Sequence, residues 1–135
     1  MSYWILKTEP GAYSFENLVR DKKTVWDGVR NYQARNNLRL IKKNDICFIY
    51  HSVGPKELVG SAKVVKEAYQ DPSTSDERWV VVEIKPLKAF AKAIKLAQLK
   101  EHPVLSEMQL VKQSRLSVCP LNKKQGQIIL SLSEA

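Results

Sequence analysis

Short stretches rich in β-branched and aromatic residues alternate irregularly with short helical patterns along this chain. Residues 3–8, 45–51, 58–68 and 79–84 have the composition typical of strands, and Pro86 is expected to end the last of them. Strands and helices do not alternate at the regular spacing that a doubly wound sheet requires. The pattern therefore predicts an α+β fold, in which about five to six strands form a small, mixed, partly closed barrel with short flanking helices.

One helical segment has its apolar and its basic residues on separate faces. In residues 31–41, Ala34, Leu38 and Ile41 recur at the spacing of one helix face. Three basic residues recur at the same spacing on another face, namely Arg35, Arg39 and Lys42. Further predicted elements are a helical turn at 14–19 capped by Ser14, a polar loop at 69–77, a helix at 94–101, a turn at 104–108 and a strand at 114–119. A last helix is predicted at 123–132. It begins with a capping box of Asn122 and Gln125 and contains Gly126, which lowers helix propensity.

The composition indicates a basic protein with one domain over residues 1–135. It has 22 Lys and Arg residues against 14 Asp and Glu residues, a net charge of +8. This excess favours a polyanionic partner, although a soluble protein can also be basic without one. Cys47 and Cys119 lie in apolar stretches, which predicts buried thiols in a reducing compartment. No stretch resembles a signal peptide or a membrane span, so we expect a cytoplasmic protein, nuclear in a eukaryote, with no membrane partner.

Several groups of residues match, in order along the chain, the motifs of a known family. They are 4–10 (WILKTEP), 26–36 (WDGVRNYQARN), 50–52 (YHS), 59–62 (VGSA), 79–84 (WVVVEI) and 113–118 (QSRLSV). In these motifs the chain resembles the EVE domain family of the PUA-like superfamily. The resemblance implies a PUA-like pseudo-barrel related to YTH, ASCH and SRA domains, which read modified bases in RNA or DNA. It also implies that a single EVE domain binds modified cytosine in DNA.

A protein that reads one altered base must take that base out of the stack, which costs a few kcal/mol. Stacking on an aromatic side chain contributes about 1–3 kcal/mol per base, so the pocket needs a flat aromatic wall beside polar groups and positive charge. The candidate pocket residues are Trp26, Tyr32, Asn31, Lys7, Thr8, Glu9, Ser52, Asp27 and Trp79, with Trp26, Lys7, Thr8 and Ser52 favoured by the family resemblance. The candidate phosphate contacts are Arg30, Arg35, Arg39, Lys42 and Arg115, and Arg115 alternates with Ser117 in a way that suits a rim.

Each candidate also has a purely structural interpretation. These interpretations are core packing for Trp26, Trp79 and Tyr32, helix capping for Asn31 and Asp27, an exposed ion pair for Lys7 and Glu9, a turn role for Ser52, and a solvated face for the basic residues. His51 has no acid–base partner placed by a motif, so we expect it to be a hydrogen-bonded core group. Trp4 alternates with Leu6 and is expected in the core.

The function predicted from these residues is nucleic-acid binding, not catalysis. A zinc deaminase needs a His/Cys/Cys set with a Glu, which two distant cysteines and two histidines do not supply. Neither a nucleophile elbow nor a phosphate loop is present, and no dense carboxylate cluster suggests a metal site or a cofactor. The predicted partners are nucleic acid, with modified DNA favoured over RNA, and an unidentified effector protein. An RNA-binding PUA-like module and a protein-interaction domain without base specificity stay open as alternatives.

Overall fold

The computed structural model of the protein describes residues 1–134, which form a six-stranded mixed sheet and five α-helices. The strands are β1 (Tyr3–Thr8), β2 (Thr24–Trp26), β3 (Ile46–His51), β4 (Glu57–Gln70), β5 (Val80–Lys95) and β6 (Val118–Leu121). The helices are α1 (Phe15–Asp21), α2 (Tyr32–Leu40), α3 (Leu96–Glu101), α4 (Gln109–Lys112) and α5 (Lys123–Ser133), with a short 3-10 helix at Leu105–Glu107. The predicted α+β class is confirmed.

The sheet has the strand order β2-β5-β4-β3-β1-β6. β1 lies parallel to β3 and antiparallel to β6, and all the other neighbours are antiparallel. The ladder between the long strands β4 and β5 is interrupted by register shifts, and such irregularities bend a sheet. α2 contacts β6 at one edge of the sheet and also contacts β4 and β5. The helix therefore packs across the curved sheet from the β6 edge towards β4 and β5.

The core is built around the strands in the middle of the sheet. Ile5 of β1 and Phe48 of β3 are fully buried. Trp4 is also buried, as predicted, and its indole Nε1 donates to Asp45 Oδ2 at 2.9 Å. The same carboxylate oxygen accepts from the Lys42 backbone N–H at 2.9 Å. This buried carboxylate therefore ties the start of β1 to the loop that connects α2 with β3.

α5 begins with the predicted capping box, in which Asn122 and Gln125 each accept a hydrogen bond from the other's backbone N–H. Gly126 on this helix faces the ring of Tyr3, and a Cβ at position 126 would clash with that ring. The Tyr3 ring is itself stacked on Phe48, with ring centroids 5.9 Å apart and planes 4° from parallel. Gly126 thus lowers the helix propensity of α5 but allows the helix to pack closely on β1.

The prediction that Pro86 ends its strand is wrong, because β5 continues to Lys95. Pro86 pairs with Ala62 and the next pair is Ser61 with Lys88, so one residue bulges out between the two pairs. At such an irregularity a proline does not remove a regular ladder hydrogen bond. β4 also extends to Gln70, so the polar loop predicted at 69–77 begins later than expected.

The strand predicted at 114–119 is displaced towards the C-terminus, since β6 begins at Val118 and contains Pro120. β6 is at the edge of the sheet, where a proline is tolerated. The helix predicted at 94–101 begins two residues later, because β5 extends to Lys95. β2 and α4 were not predicted, because three or four residues are too few to show a period.

Cys47 and Cys119 are free and buried, as the sequence predicts. Burial raises the pKa of both thiols, that of Cys119 to about 11. The longest helix within residues 1–134 is α5 with 11 residues, and none of the described helices could cross a membrane.

Candidate functional site

A cleft of about 560 Å³ opens beside the C-terminal end of β1. Its volume lies within the roughly 300–1,000 Å³ that is typical of ligand pockets. The residues that line it are Lys7, Thr8, Ala12, Tyr13, Thr24, Val25, Trp26, Asp27, Gly28, Val29, Arg30 and Ser117. The cleft is therefore assembled from the end of β1, the segment before α1, β2 with the loop that follows it, and the loop before β6.

Two aromatic side chains form a wall of the cleft. Trp26 ends β2, where its backbone pairs with Val82 of β5. The ring of Tyr13 meets the indole edge-on, with centroids 6.2 Å apart and planes at 84°. Trp26 is only 8% exposed, so most of its indole packs into the core while part of it borders the cleft. The Tyr13 hydroxyl donates to Asp21 Oδ2 at 2.8 Å, which fixes the second ring.

Lys7, Thr8 and Ser117 contribute polar groups to the same cleft. The Lys7 ammonium donates to the Ser114 carbonyl oxygen at 2.8 Å, and burial lowers the pKa of this lysine. The Thr8 hydroxyl donates to the Tyr13 carbonyl oxygen at 2.7 Å, which leaves its own oxygen able to accept. The Lys7 backbone N–H donates to the Ser117 carbonyl oxygen at 2.9 Å, so Ser117 is held beside β1.

A buried carboxylate behind the cleft, that of Asp71, fixes the rim. Its side chain is 0% exposed, and its Oδ2 accepts from the Gly28 N–H and from Arg30 Nη1, both at 3.1 Å. Its Oδ1 accepts from the Ser73 hydroxyl at 2.5 Å and from the Ser73 N–H at 2.8 Å. Burial opposes ionisation, but these hydrogen bonds outweigh it and lower the pKa of Asp71 to about 2. Gly28 has a φ of +74°, a conformation that favours glycine, so the turn after Asp27 depends on both Gly28 and Asp71.

A second group of side chains, the arginine–aromatic cluster, consists of Tyr32, Trp79, Arg30, Arg35 and Arg78. The rings of Tyr32 and Trp79 lie 5.5 Å apart and are tilted by 32°. The three guanidinium groups lie between 5.4 and 5.8 Å from the centroid of the Trp79 ring. Tyr32 is 57% exposed. The cluster is on the surface and shares only Arg30 with the cleft lining.

Comparison with known proteins gives a direct test of the family predicted from the motifs. The sequence model of the EVE domain matches residues 2–132. The chain belongs to the EVE domain family. Two of the six motifs on which the prediction rested, at 4–10 and 26–36, supply most of the cleft lining of this EVE domain.

Relatives of this EVE domain include solved structures. Rat thymocyte nuclear protein 1 is 36% identical over 168 residues, which covers 99% of this chain and 74% of the relative. The structure of human THYN1 in complex with 5-methylcytosine-containing DNA has a TM-score of 0.91 at 34% identity and covers 100% of this chain and 99% of that one. A crystal structure from Agrobacterium tumefaciens has a TM-score of 0.94 at 33% identity, covering 98% and 93%. The PUA-like fold implied by the resemblance is confirmed.

The predicted pocket residues of this EVE domain do not all lie in one place. Those that line the cleft are Lys7, Thr8, Trp26 and Asp27. Tyr32 and Trp79 instead face each other in the arginine–aromatic cluster, outside the cleft. Asn31 caps α2, and its side-chain oxygen accepts from the Ala34 N–H at 2.9 Å. The capping role considered from the sequence is therefore the one that the Asn31 side chain has.

Two further predicted residues lie beside the cleft but do not line it. Glu9 is exposed, and its carbonyl oxygen accepts from the backbone N–H groups of Ala12 and Tyr13. The Ser52 hydroxyl donates to the Thr8 carbonyl oxygen at 3.3 Å. Ser52, the residue after β3, therefore supports the end of β1, and it borders a smaller hollow next to the cleft.

The predicted phosphate contacts are spread over several surfaces. Arg30 lines the cleft, Arg35 belongs to the arginine–aromatic cluster, and Arg39 donates to the Arg78 carbonyl oxygen at 3.1 Å. Among residues 1–134, Arg35 and Arg39 form no ion pair, so both charges are available to an anion. Lys42 and Arg115 are exposed, and Arg115 lines a separate shallow groove together with Asn31.

Sequence reasoning did not single out Tyr13, which lies in a segment without a periodic pattern or a family motif. His51, by contrast, is hydrogen-bonded as predicted, although it is half-buried and not in the core. Its Nε2 accepts from the Phe15 backbone N–H at 3.1 Å, and burial lowers its pKa. This imidazole joins β3 to α1 and is not part of the cleft lining.

Proposed function

We propose that this EVE domain binds DNA and reads a modified cytosine that has been rotated out of the duplex into the cleft. The observation that carries the proposal is the cleft itself, where the edge of the Trp26 indole and the ring of Tyr13 meet polar side chains beside a cationic rim. The likeness over the whole chain to the human protein solved with 5-methylcytosine-containing DNA supports DNA as the partner.

The aromatic wall supports rotation of the base out of the helix. Unstacking a base costs a few kcal/mol, and contact with an aromatic side chain contributes about 1–3 kcal/mol. Trp26 and Tyr13 are each held by the surrounding structure, so little side-chain freedom is lost when a base binds. In this proposal Trp26 is the main contact surface and Tyr13 closes the same wall.

The polar residues of the cleft match the hydrogen-bonding edge of cytosine. The exocyclic amino group of cytosine is a donor, and Asp27 is the cleft's carboxylate that can accept from it. The ring nitrogen and the carbonyl oxygen are acceptors, for which Lys7 and the Ser117 hydroxyl supply donors. Val25 and Val29 add apolar surface against which a 5-methyl group can pack. The phosphates beside the base would meet Arg30 at the rim.

The proposal is tested by fluorescence anisotropy with short labelled duplexes that contain cytosine, 5-methylcytosine or 5-hydroxymethylcytosine, and with the matching RNA. We expect the tightest binding for one of the modified DNA duplexes. Trp26→Ala removes the main contact, and a loss of 1–3 kcal/mol corresponds to about 5- to 150-fold weaker binding of that duplex. The affinity for unmodified DNA should change little, because phosphate contacts supply it.

The matched control is Trp79→Ala, which removes a second indole that lies outside the cleft. Circular dichroism checks that both variants are folded, because Trp26 is largely buried. Tyr13→Leu provides a second cleft variant on a half-buried residue if Trp26→Ala does not fold. Equal affinity of the native protein for all duplexes would refute the reader function. A preference that survives both cleft variants but is lost in Trp79→Ala would move the base site to the arginine–aromatic cluster.

A further inference from the structure

Two smaller hollows lie beyond Lys7, one next to the cleft and one next to the first hollow, and lysines line both of them. The first has a volume of about 180 Å³ and is bordered by Lys7, Lys56 and Lys100. The second has a volume of about 510 Å³ and is bordered by Lys56, Lys95 and Lys100. Lys7 also lines the cleft, and Leu96 is common to the two hollows. The first hollow therefore shares a lining residue with the cleft and three with the second hollow, namely Lys56, Leu96 and Lys100, and the two hollows together are named the lysine groove.

The backbone that carries the lysine groove is fixed by hydrogen bonds. The turn between β3 and β4 contains Gly54, whose φ is +77°, and ends at Lys56. The Lys56 carbonyl oxygen accepts from the Leu96 N–H at 2.9 Å, which joins the turn to the start of α3. Lys95 and Lys100 are at the two ends of this short helical segment. The lysines thus project from a preformed surface.

The positive charges of the lysine groove are not neutralised by the protein. Within residues 1–134, none of Lys7, Lys56, Lys95 and Lys100 forms an ion pair. Glu57 is the cross-strand neighbour of Lys95, yet the two side chains are not paired. Lys56 also helps to lower the pKa of Lys7, as expected for two nearby cations, although burial is the larger cause. Gathering like charges destabilises a fold unless an anion binds there.

We propose that the lysine groove holds the phosphates of the DNA strand on one side of the base in the cleft, an inference that rests on the proposed function. A nucleotide turned into the cleft stays covalently attached to its strand, which must leave the cleft mouth in two directions. Lys7 lies where the cleft meets the groove, so a strand that leaves past it runs along Lys56, Lys100 and Lys95 in turn. A repeating row of phosphates matches a row of ammonium groups, and such contacts add affinity without regard to sequence.

The test uses Lys56→Gln with Lys100→Gln, and the matched control is Lys123→Gln with Lys124→Gln. All four lysines are exposed, and each pair of substitutions removes two charges. The control lysines are at the start of α5 and do not line the groove. Anisotropy is measured from 50 to 200 mM KCl with modified and unmodified duplexes. Loss of two phosphate contacts should reduce the slope of log K against log salt by about 1.8 for both duplexes. Over this fourfold range the native protein should then lose about 12-fold more affinity than the groove variant.

A second arm uses the modified duplex with neutral methylphosphonate linkages on either the 5′ or the 3′ side of the modified base. We expect one of the two substitutions to weaken binding of the native protein and to have little effect on the groove variant. An unchanged salt slope in the groove variant, with the preference for modified DNA intact, would overturn the groove while leaving the proposed function standing. An equal reduction of the salt slope in the groove variant and in the control variant would also overturn the role of the lysine groove. Absence of DNA binding by the native protein would instead refute the proposed function itself.

Discussion

Asp71→Asn replaces the carboxylate that fixes the rim of the cleft. The side chain is fully buried, and folding lowers its pKa from 3.8 to about 2. At about 1.36 kcal/mol per pKa unit, this shift corresponds to on the order of 2 kcal/mol of stability. Removing one partner of a fully buried ion pair can lower the free energy of unfolding by more than this. The Arg30 side chain, however, is 40% exposed, so water can solvate it when its partner is neutral. We therefore expect the variant to lose on the order of 2 kcal/mol at pH 7.

The pH dependence of the free energy of unfolding tests the contribution of the Asp71 carboxylate more sharply than one measurement at pH 7. Because folding lowers the pKa of Asp71, the carboxylate stabilises the fold above its ordinary pKa of 3.8, and this contribution is lost as the pH falls towards about 2. Urea unfolding of the native protein and of Asp71→Asn is compared in steps from pH 7 down to the lowest pH at which both fold. The difference in unfolding free energy should be constant above about pH 5 and should shrink below it.

The control for this experiment is Asp76→Asn, a carboxylate in the same loop whose pKa is also lowered to about 2, chiefly by hydrogen bonds from Arg78. Asp76 is nearer to solvent and does not contact the rim, so its loss should destabilise the protein less. Asp71→Asn should also weaken the preference for modified DNA, because Arg30 and the Gly28 turn lose their common partner. A difference between native protein and Asp71→Asn that is near zero at pH 7, or that does not change down to pH 3, would refute this reasoning.

Three further predictions concern the packing, the thiols and the basic face of α2. Gly126→Ala should destabilise the protein by about 1–3 kcal/mol in urea unfolding, because the clash with Tyr3 exceeds the gain in helix propensity of about 1 kcal/mol. A variant more stable than the native protein would show that the Tyr3 ring can move aside. Cys47 and Cys119 are buried with raised pKa values, so a thiol reagent at pH 8 should react with them only in urea, and prompt reaction in buffer would contradict their burial. Arg35→Gln with Arg39→Gln should reduce the salt slope of DNA binding by about 1.8 and leave the base preference unchanged; a lost preference with an unchanged slope would assign these arginines to base reading.

The elements with a strong local signal were predictable from the sequence. β1 was predicted at its observed bounds, and α2 differs from the prediction by one residue at each end. Asn122 and Gln125 revealed the start of α5, because a capping box is a local interaction. Pro86 was misleading because the bulge that accommodates it depends on pairing with β4, which a local pattern does not contain.

The candidate site was less predictable than the fold, for a related physical reason. Trp26 and Asp27 lie in one motif and reach the cleft together, but Tyr32 in the same motif lies on the outer side of the rim. α2 begins at Tyr32, and at this position the Tyr32 ring packs against Trp79 outside the cleft. Tyr13 enters the cleft through a tertiary contact with Trp26 that no sequence spacing encodes. The family motifs therefore indicated which part of the chain forms the site, but not which side chains line the cleft.

The position of β1 has a consequence for how the protein is made. β1 lies between β3 and β6 in the sheet. One edge of β1 therefore stays unpaired until residues 118–121 have left the ribosome and can form β6. Ser117, which the Lys7 backbone holds at the cleft, immediately precedes that late strand. A nascent chain halted before residue 117 would hold Trp26 and Lys7 without the opposite wall of the cleft. Binding competence should therefore arise only after residues 117–121 have been added, well after most of the sheet has been synthesised.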